Sequence, residues 1–351
     1  MNLLKKINPY SPGITFFILG VLFLGVNNGL MTSTFNNYLD DIFKIGARAR
    51  GLLELPRELP GFVLIFITGA LTVLTIRHWA VLVGLFSAVG ILGLGFFSPS
   101  YSLMMIWMVI WSIADHVWIP VESRMALNLA RENEEGRKLG QITGIRNLSM
   151  IIGAGIVWIM LDYFHMGYRA LYLVAFVSGL MAAYMFYRID EHRLASQETV
   201  RFVIRKKYHL FYWLNVLFGA RKQLFLTFGP WLLVKNFGCR PQTIALLTLV
   251  GAALSFFFRQ ELGKLIDRWG ERRVFFLDAG VLVVICLVYA ISKQVYLLYA
   301  AFIMDNLMFA MRIARTTYLK KIADHPGEIL PSLALGITMD HVVSMTIPVL
   351  G

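Results

Sequence analysis

Eleven stretches of about 20 mostly apolar residues recur along this chain, a number that a membrane can accommodate and a soluble core cannot. They lie near 13–35, 51–75, 79–97, 102–127, 139–162, 169–187, 209–234, 242–262, 274–292, 296–319 and 329–351. In lipid every backbone donor and acceptor must be satisfied inside the chain, so each run is expected to be a helix. Composition agrees: the 351 residues are 58% hydrophobic and 15% charged. The expected class is an all-α integral membrane protein. A net charge of +12 would suit nucleic acid. The basic residues fall between apolar runs instead, so no nucleic-acid partner is expected. Cys239 and Cys286 sit on different runs, with neither a disulfide framework nor metal-ligand spacing; no metal and no cofactor are expected. Met1 to Pro12 carries Lys5 and Lys6 and leads into a long apolar run, which reads as a retained first helix rather than a cleaved signal.

Loop charge gives the orientation. With the N-terminus inside, the inner segments hold nineteen Lys and Arg residues, among them Arg77, Lys138, Arg205, Lys207, Arg272 and Lys321; the outer segments hold seven, among them Lys44, Lys235 and Lys293. A multi-pass protein of the cell inner (plasma) membrane, with a cytoplasmic N-terminus, is expected. Membrane lipid is its surrounding partner, and the basic linker residues suit anionic headgroups.

The longest polar gap, Arg188 to His209, has no apolar run long enough to span and divides six helices from five. The expected domains are an N-terminal six-helix bundle over 1–188, a linker over 189–208 and a second bundle over 209–351. Duplication would make the halves alike. A shift of 190 positions places Asp115 on Asp305, His116 on Asn306 and Glu122 on Arg312 without a gap.

Between the eighth and ninth runs stands GKLIDRWGERR, Gly263 to Arg273. Its glycines allow tight turns and close helix approach, and Asp267 is placed where a helix ends. Gly263, Asp267, Arg268, Gly270, Arg272 and Arg273 match G-x-x-x-D-R-x-G-x-R-R. This resembles the cytoplasmic loop motif of the major facilitator superfamily of secondary transporters. A plain basic loop is the alternative reading. The resemblance implies two pseudo-symmetric six-helix bundles, a gating role for these six residues, and a twelfth helix. The chain is therefore expected to be cut inside its eleventh helix, leaving the second bundle incomplete. The equivalent first-half stretch, Gly69 to Ala80, keeps a glycine, Arg77 and His78 but lacks the aspartate and second glycine.

Charges at bilayer depth are expensive and mark pathways or partners. The third and sixth runs carry none between their ends. The fourth carries Asp115, His116, Glu122 and Arg124, the fifth Arg146, the seventh Arg221 and Lys222, the ninth Asp278, the tenth Asp305, Arg312 and Arg315, and the eleventh Asp340 and His341. The first has Asn27 and Asn28. In the superfamily the first, fourth, seventh and tenth helices line the cavity, and this distribution fits. Asp115 and Glu122, seven apart, share a face, as do Asp305 and Arg312. Glu54, Arg57 and Glu58 read as a local ionic group near the membrane edge, at a start bent by Pro56 and Pro60. Gly140, Gly144, Gly153 and Gly155 read as a small-residue packing face.

The expected function is secondary active transport of a small polar solute by alternating access, coupled to protons, with no enzymatic activity. Substrate-binding candidates are Asn27, Asn28, Arg221, Lys222 and Arg312; two adjacent mid-span cations point to an anionic solute or to acidic partners. Proton-coupling candidates are Asp115, His116, Glu122, Asp305, Asp340 and His341, because carboxylates and histidines at depth can exchange protons. Efflux of drug-like compounds is the alternative, although the fifth helix lacks the proline of that subgroup's motif. A membrane receptor or enzyme would need a signalling domain or a nucleophile cluster, and neither is seen. A monomer is expected.

Overall fold

The computed structural model describes residues 12–67, 74–128, 135–190, 204–325 and 328–350. Among these the chain is all-α. Its helices are α1 (Pro12–Phe43), α2 (Ala47–Leu52), α3 (Glu54–Ile67), α4 (Ile76–Phe96), α5 (Tyr101–Asn128), α6 (Glu135–Trp158), α7 (Tyr168–Tyr187), α8 (His209–Phe237), α9 (Pro241–Ile291), α10 (Val295–Met308), α11 (Arg312–Ile322) and α12 (Ile329–Leu350). Among the described residues, seven helical stretches are long and apolar enough to cross a membrane. The chain is an all-α membrane protein.

Two compact units divide it: Met1–Phe35 with Val63–Gln197, and Asn36–Phe62 with Glu198–Gly351. In the first unit α4 packs on α5 and α7. Phe17, Val21, Ala114, Val117, Trp118, Ala182 and Phe186 form its buried core. Small residues set some of these distances, though fewer than expected. A Cβ on Gly153 would fall 2.4 Å from the Val26 carbonyl oxygen of α1, whereas one on Gly140, Gly144 or Gly155 would meet nothing within 4 Å. The close approach of α6 to α1 relies as much on glycines of α1, since a Cβ on Gly25 would lie 2.4 Å from Ser149 and one on Gly29 2.2 Å from the Met150 carbonyl oxygen.

In the second unit α8 packs on α2 and α12, and α9 on α10 and α11. Phe225, Leu262, Ile266, Val274, Ile285 and Met308 form its main core. Three helices depart from the apolar runs. The run near 51–75 begins as α2 and α3, with Pro60 inside α3; residues 68–73, including the start of the Gly69 to Ala80 stretch, lie outside the described residues. The runs near 242–262 and 274–292 join in α9, which leaves helical geometry at Gly270 (φ 76°, ψ 159°). Asp267 therefore lies in the last turn of the first limb, near its end as expected, and Gly263 needs no special conformation. The run near 296–319 is interrupted by a 3-10 turn, Phe309–Met311. That turn separates Asp305 from Arg312 and Arg315. The residues between Asp190 and Ile204, most of the expected linker, are outside the described residues.

Candidate functional site

Four helices of the second unit bring charged side chains together. On α8, Asn215, Phe218 and Lys222 recur at helical spacing, with Arg221 beside them. Gly219 permits the neighbouring helix to approach: a Cβ there would lie 2.6 Å from the Asp340 carboxylate of α12. Lys222 thereby meets Asp340, with Nζ 2.8 Å from Oδ1. Arg221 turns toward α9 and α10. Its Nη1 donates to Asp278 at 2.9 Å and its Nη2 to Asp305 at 3.3 Å. Arg221 and Asp305 are buried. Replacing water around a guanidinium requires compensating hydrogen bonds and charge, and the two carboxylates supply both.

Arg315 of α11 is also buried, at 6% exposure. Its guanidinium stacks 3.7 Å from the centre of the Phe218 ring, and its Nη1 donates to Asn215 Oδ1 at 2.7 Å. The same ring lies 5.9 Å from the Arg221 guanidinium carbon, and Phe309 lies 5.7 Å from it. Two arginines thus approach one aromatic ring, each at cation–π distance.

The remaining candidates of this unit lie elsewhere. His341 Nδ1 is 3.2 Å from Glu58 Oε2, so its neighbour Asp340 is engaged by Lys222 while the histidine faces α3. Glu58 does not join a purely local group. Glu54 does bind Arg57 as expected, at 2.9 Å, and also binds Arg50 and, at 2.6 Å, Gln223 of α8. Arg312 is exposed. In the glycine-rich stretch Asp267, Arg268, Arg272 and Arg273 are exposed. Arg272 lies over Phe276 at 5.9 Å, and Asp267 forms no ion pair among the described residues. The buried acid is Glu271, bonded to Lys321 of α11 at 2.8 Å. Sequence reasoning passed over Glu271 because it is a variable position of the pattern; its one signal is that it alone is acidic among the basic residues after Gly270.

In the first unit, Asn28 donates to Asp115 at 3.3 Å. Asn27 donates to the Ala175 carbonyl at 2.9 Å and accepts from Ser87 at 3.0 Å, so its amide ties α1 to α7 and α4. His116 Nδ1 lies 2.8 Å from the Ser112 carbonyl oxygen, one turn back on its own helix. Glu122 pairs with Arg146, which therefore finds an acid instead of extending to the membrane edge. The structure brings together Arg221, Asp305 and Asp278, which the sequence did not mark as a site residue; it brings Lys222 to Asp340 and Asn28 to Asp115, while Arg312 and the motif's Asp267, Arg268, Arg272 and Arg273 are exposed.

Comparisons place this architecture. No curated protein sequence matches the chain significantly. The nucleoside transporter NupG superposes with a TM-score of 0.75 at 13% identity, over 97% of this chain and 89% of that one; a mutant of it gives 0.77 at 14%, over 97% and 90%. A D-xylose–proton symporter gives 0.69 at 13% identity, over 95% of this chain and 89% of its own. At these identities the likeness is one of fold. The sequence profile of the Major Facilitator Superfamily matches residues 57–339, most of the chain. This protein belongs to the major facilitator superfamily and is a transporter, not an enzyme.

Proposed function

We propose that the protein couples protons to the alternating-access transport of a small polar solute, with Arg221, Asp278 and Asp305 as the coupling centre. One observation carries this: a single buried guanidinium serves two carboxylates on two different helices. With both acids ionised the trio has one negative charge in excess. A proton on either acid neutralises it, and the guanidinium then pairs with the other. Such a trio has two arrangements of similar charge cost, which is what a binding site needs in order to exchange a proton without stranding a buried ion. We assign the proton to Asp305, the more buried of the two, with side-chain exposure of 6% against 19% for Asp278. The fold's likeness to a proton symporter supports the reading.

Asp115, held by Asn28, is the corresponding carboxylate of the first unit and the second candidate. Lys222 and Arg221 are both engaged by carboxylates of their own unit, so a negative solute group is better sought at another cation. The excess of Lys and Arg in one set of loops supports a cytoplasmic N-terminus in a plasma membrane, and that orientation puts the Gly263–Arg273 stretch inside as a gating element.

Proteoliposomes containing a pH-sensitive dye test the proposal. Nucleosides, pentoses, hexoses and small carboxylates are added in turn under an imposed pH gradient. One class is expected to move protons with it. Asp305→Asn should abolish gradient-driven accumulation while leaving exchange of internal for external solute. Accumulation indifferent to the pH gradient, or retained in both Asp305→Asn and Asp115→Asn, overturns it.

A further inference from the structure

We infer that Arg315, with Asn215 and Phe218, is the seat for an anionic group of the solute, a carboxylate, and that one proton is taken up with each anion. The inference rests on the coupling role assigned to Arg221, Asp278 and Asp305, and adds the class of solute.

Three observations support it. First, Arg315 is a buried cation that forms no ion pair with a carboxylate among the described residues. Lys222 has Asp340, Arg221 has two aspartates, Arg146 has Glu122 and Arg50 has Glu54. Arg315 has a neutral amide oxygen and a ring. Second, its hydrogen-bonding fork is incomplete. Nη1 is used by Asn215, while Nε is buried with no partner among the described residues. Guanidinium presents paired N–H groups matched to the two oxygens of a carboxylate. A buried charge with unused donors is an arrangement that a ligand completes. Third, the supporting residues hold the group rigidly. Phe218 covers one face at 3.7 Å, and Asn215 is itself tied to the Phe211 carbonyl at 2.8 Å and packed against Gly336.

Charge counting links the seat to the proton. Arg221 and Arg315 carry two positive charges; ionised Asp278 and Asp305 carry two negative. Lys222 and Asp340 cancel. The groups close enough to influence the centre are those six with Arg312 of α11, and Cys286 and Tyr289 of α9, which lie in the field of Asp305. With both aspartates ionised these six groups cancel, and Arg312 adds one positive charge at the exposed side. A proton on Asp305 raises the net charge by one more unit beside the unfilled guanidinium. The anion and the proton therefore stabilise each other, and by linkage each must raise affinity for the other equally.

The test uses the purified full chain in nanodiscs of uncharged lipid, and in a second set containing phosphatidylglycerol. Benzoate, lactate, glucuronate and inorganic phosphate are the anionic probes; uridine and xylose are the uncharged ones. Binding is followed by calorimetry and by proton uptake in weakly buffered solution. At least one carboxylate is expected to bind in uncharged lipid, with uptake of one proton and affinity that falls up to about tenfold per pH unit once Asp305 is ionised. Arg315→Lys, which keeps the charge and loses the fork, should weaken carboxylate binding at least tenfold; Arg315→Gln should abolish it. Asp305→Asn should bind the carboxylate without proton uptake. If only uridine or xylose binds, or if Arg315→Lys binds carboxylate as wild type does, the seat is wrong while proton coupling of another solute stands. If phosphate alone binds, or if Arg315 responds only to phosphatidylglycerol, the seat serves a phosphate and the carboxylate assignment falls. If carboxylate binds through Arg315 with no proton uptake, the linkage to Asp305 fails, and the coupling centre with it.

Discussion

Arg221 donates to Asp305 across 3.3 Å, and Asn28 donates to Asp115 across the same distance. In each unit the aspartate of one mid-chain helix is held by a side chain of the unit's first long helix. The aspartates stand 190 positions apart and their donors 193, as duplication of a bundle would leave them. The two pairs differ in charge. Asn28 offers Asp115 a neutral amide, whereas Arg221 offers Asp305 a positive charge. The donor at one symmetric position is thus a cation and at the other an amide.

Removing the cation should cost far more than removing the amide. Arg221→Gln leaves Asp278 and Asp305 facing each other without compensation, a loss on the order of 3 kcal/mol. Arg221→Gln with Asp305→Asn should recover part of it. Asn28→Ala should cost only about 1 kcal/mol, the usual worth of one hydrogen bond. Thermal melting of the purified variants in detergent ranks them. Equal losses for Arg221→Gln and Asn28→Ala would show that Arg221 is not a structural cation.

Composition and periodicity made the helices legible, because twenty apolar residues in lipid admit few alternatives. They did not make partners legible. Arg221 and Lys222 stood out as mid-span cations, yet which acid each meets depends on the rotation of α9, α10 and α12, and neighbouring positions on α8 point about 100° apart. So Arg221 selects Asp278 and Asp305 while Lys222 selects Asp340. Glu54 was readable as a partner of Arg57 because that pairing is three residues long; its bond to Gln223 spans 169 positions and has no local signature. Arg315 was readable as a charge at depth, but that it meets no carboxylate among the described residues emerges only once the other acids are accounted for. Both glycines of the motif read as permitting a tight turn, and only Gly270 leaves helical geometry.

Those two glycines separate sharply under substitution. Gly270 has φ of +76° and ψ of 159°, a region kept almost entirely by glycine, where a side chain is strained by about 1–3 kcal/mol. At Gly263 an added Cβ meets nothing within 4 Å and lies in helix, where alanine is favoured by nearly 1 kcal/mol. Gly270→Ala should lower the melting temperature and Gly263→Ala should hold or raise it. If Gly263→Ala nonetheless slows transport, the glycine is kept for motion rather than for fold. Equal destabilisation by both would mean that α9 is not broken at Gly270 alone.

Outside the membrane spans, the segment ahead of α8 is pinned to the turn before α12. Glu328 accepts from Tyr208 and, at 2.6 Å, from Arg205; Lys207 pairs with Asp324. The Tyr208 hydroxyl and then the Arg205 guanidinium hold Glu328 below its ordinary carboxylate range, and Lys207 does the same for Asp324. A carboxyl depressed on folding adds stability that is complete above its unfolded value and is lost as pH falls through the folded one. Melting should therefore be flat near neutrality and decline below about pH 4. Arg205 and Lys207 are raised by the same pairs, so their share is lost only at strongly alkaline pH. Glu328→Gln should flatten the acid limb of a melting-against-pH profile. An unchanged acid limb would place the acid sensitivity elsewhere.

The most sensitive single acid should be Glu54. It is fully buried, with Arg50 at 1% exposure beside it. Its carboxylate binds Arg50, takes Arg57 at 2.9 Å and takes the Gln223 amide at 2.6 Å. Arg50 in turn donates its Nε to Asn36 at 2.9 Å. One anion therefore compensates a cation with almost no solvent and also ties α3 to α8 one residue beyond Lys222. Glu54→Gln keeps the shape and removes the charge, so the buried Arg50 loses the carboxylate of its ion pair, at a cost of about 3–5 kcal/mol. Glu54→Gln with Arg50→Gln should recover much of this, since both charges then go. Gln223→Ala should cost about 1 kcal/mol, because Glu54 keeps its arginines. A further consequence separates fold from transport: Gln223→Ala loosens α8 beside the coupling centre, so solute-dependent proton flux should fall more than stability does. If Glu54→Gln melts like wild type, the Arg50–Glu54 pair is not the structural centre of α2 and α3. If Gln223→Ala transports at the wild-type rate, the bond from α3 does not position Lys222 and Arg221.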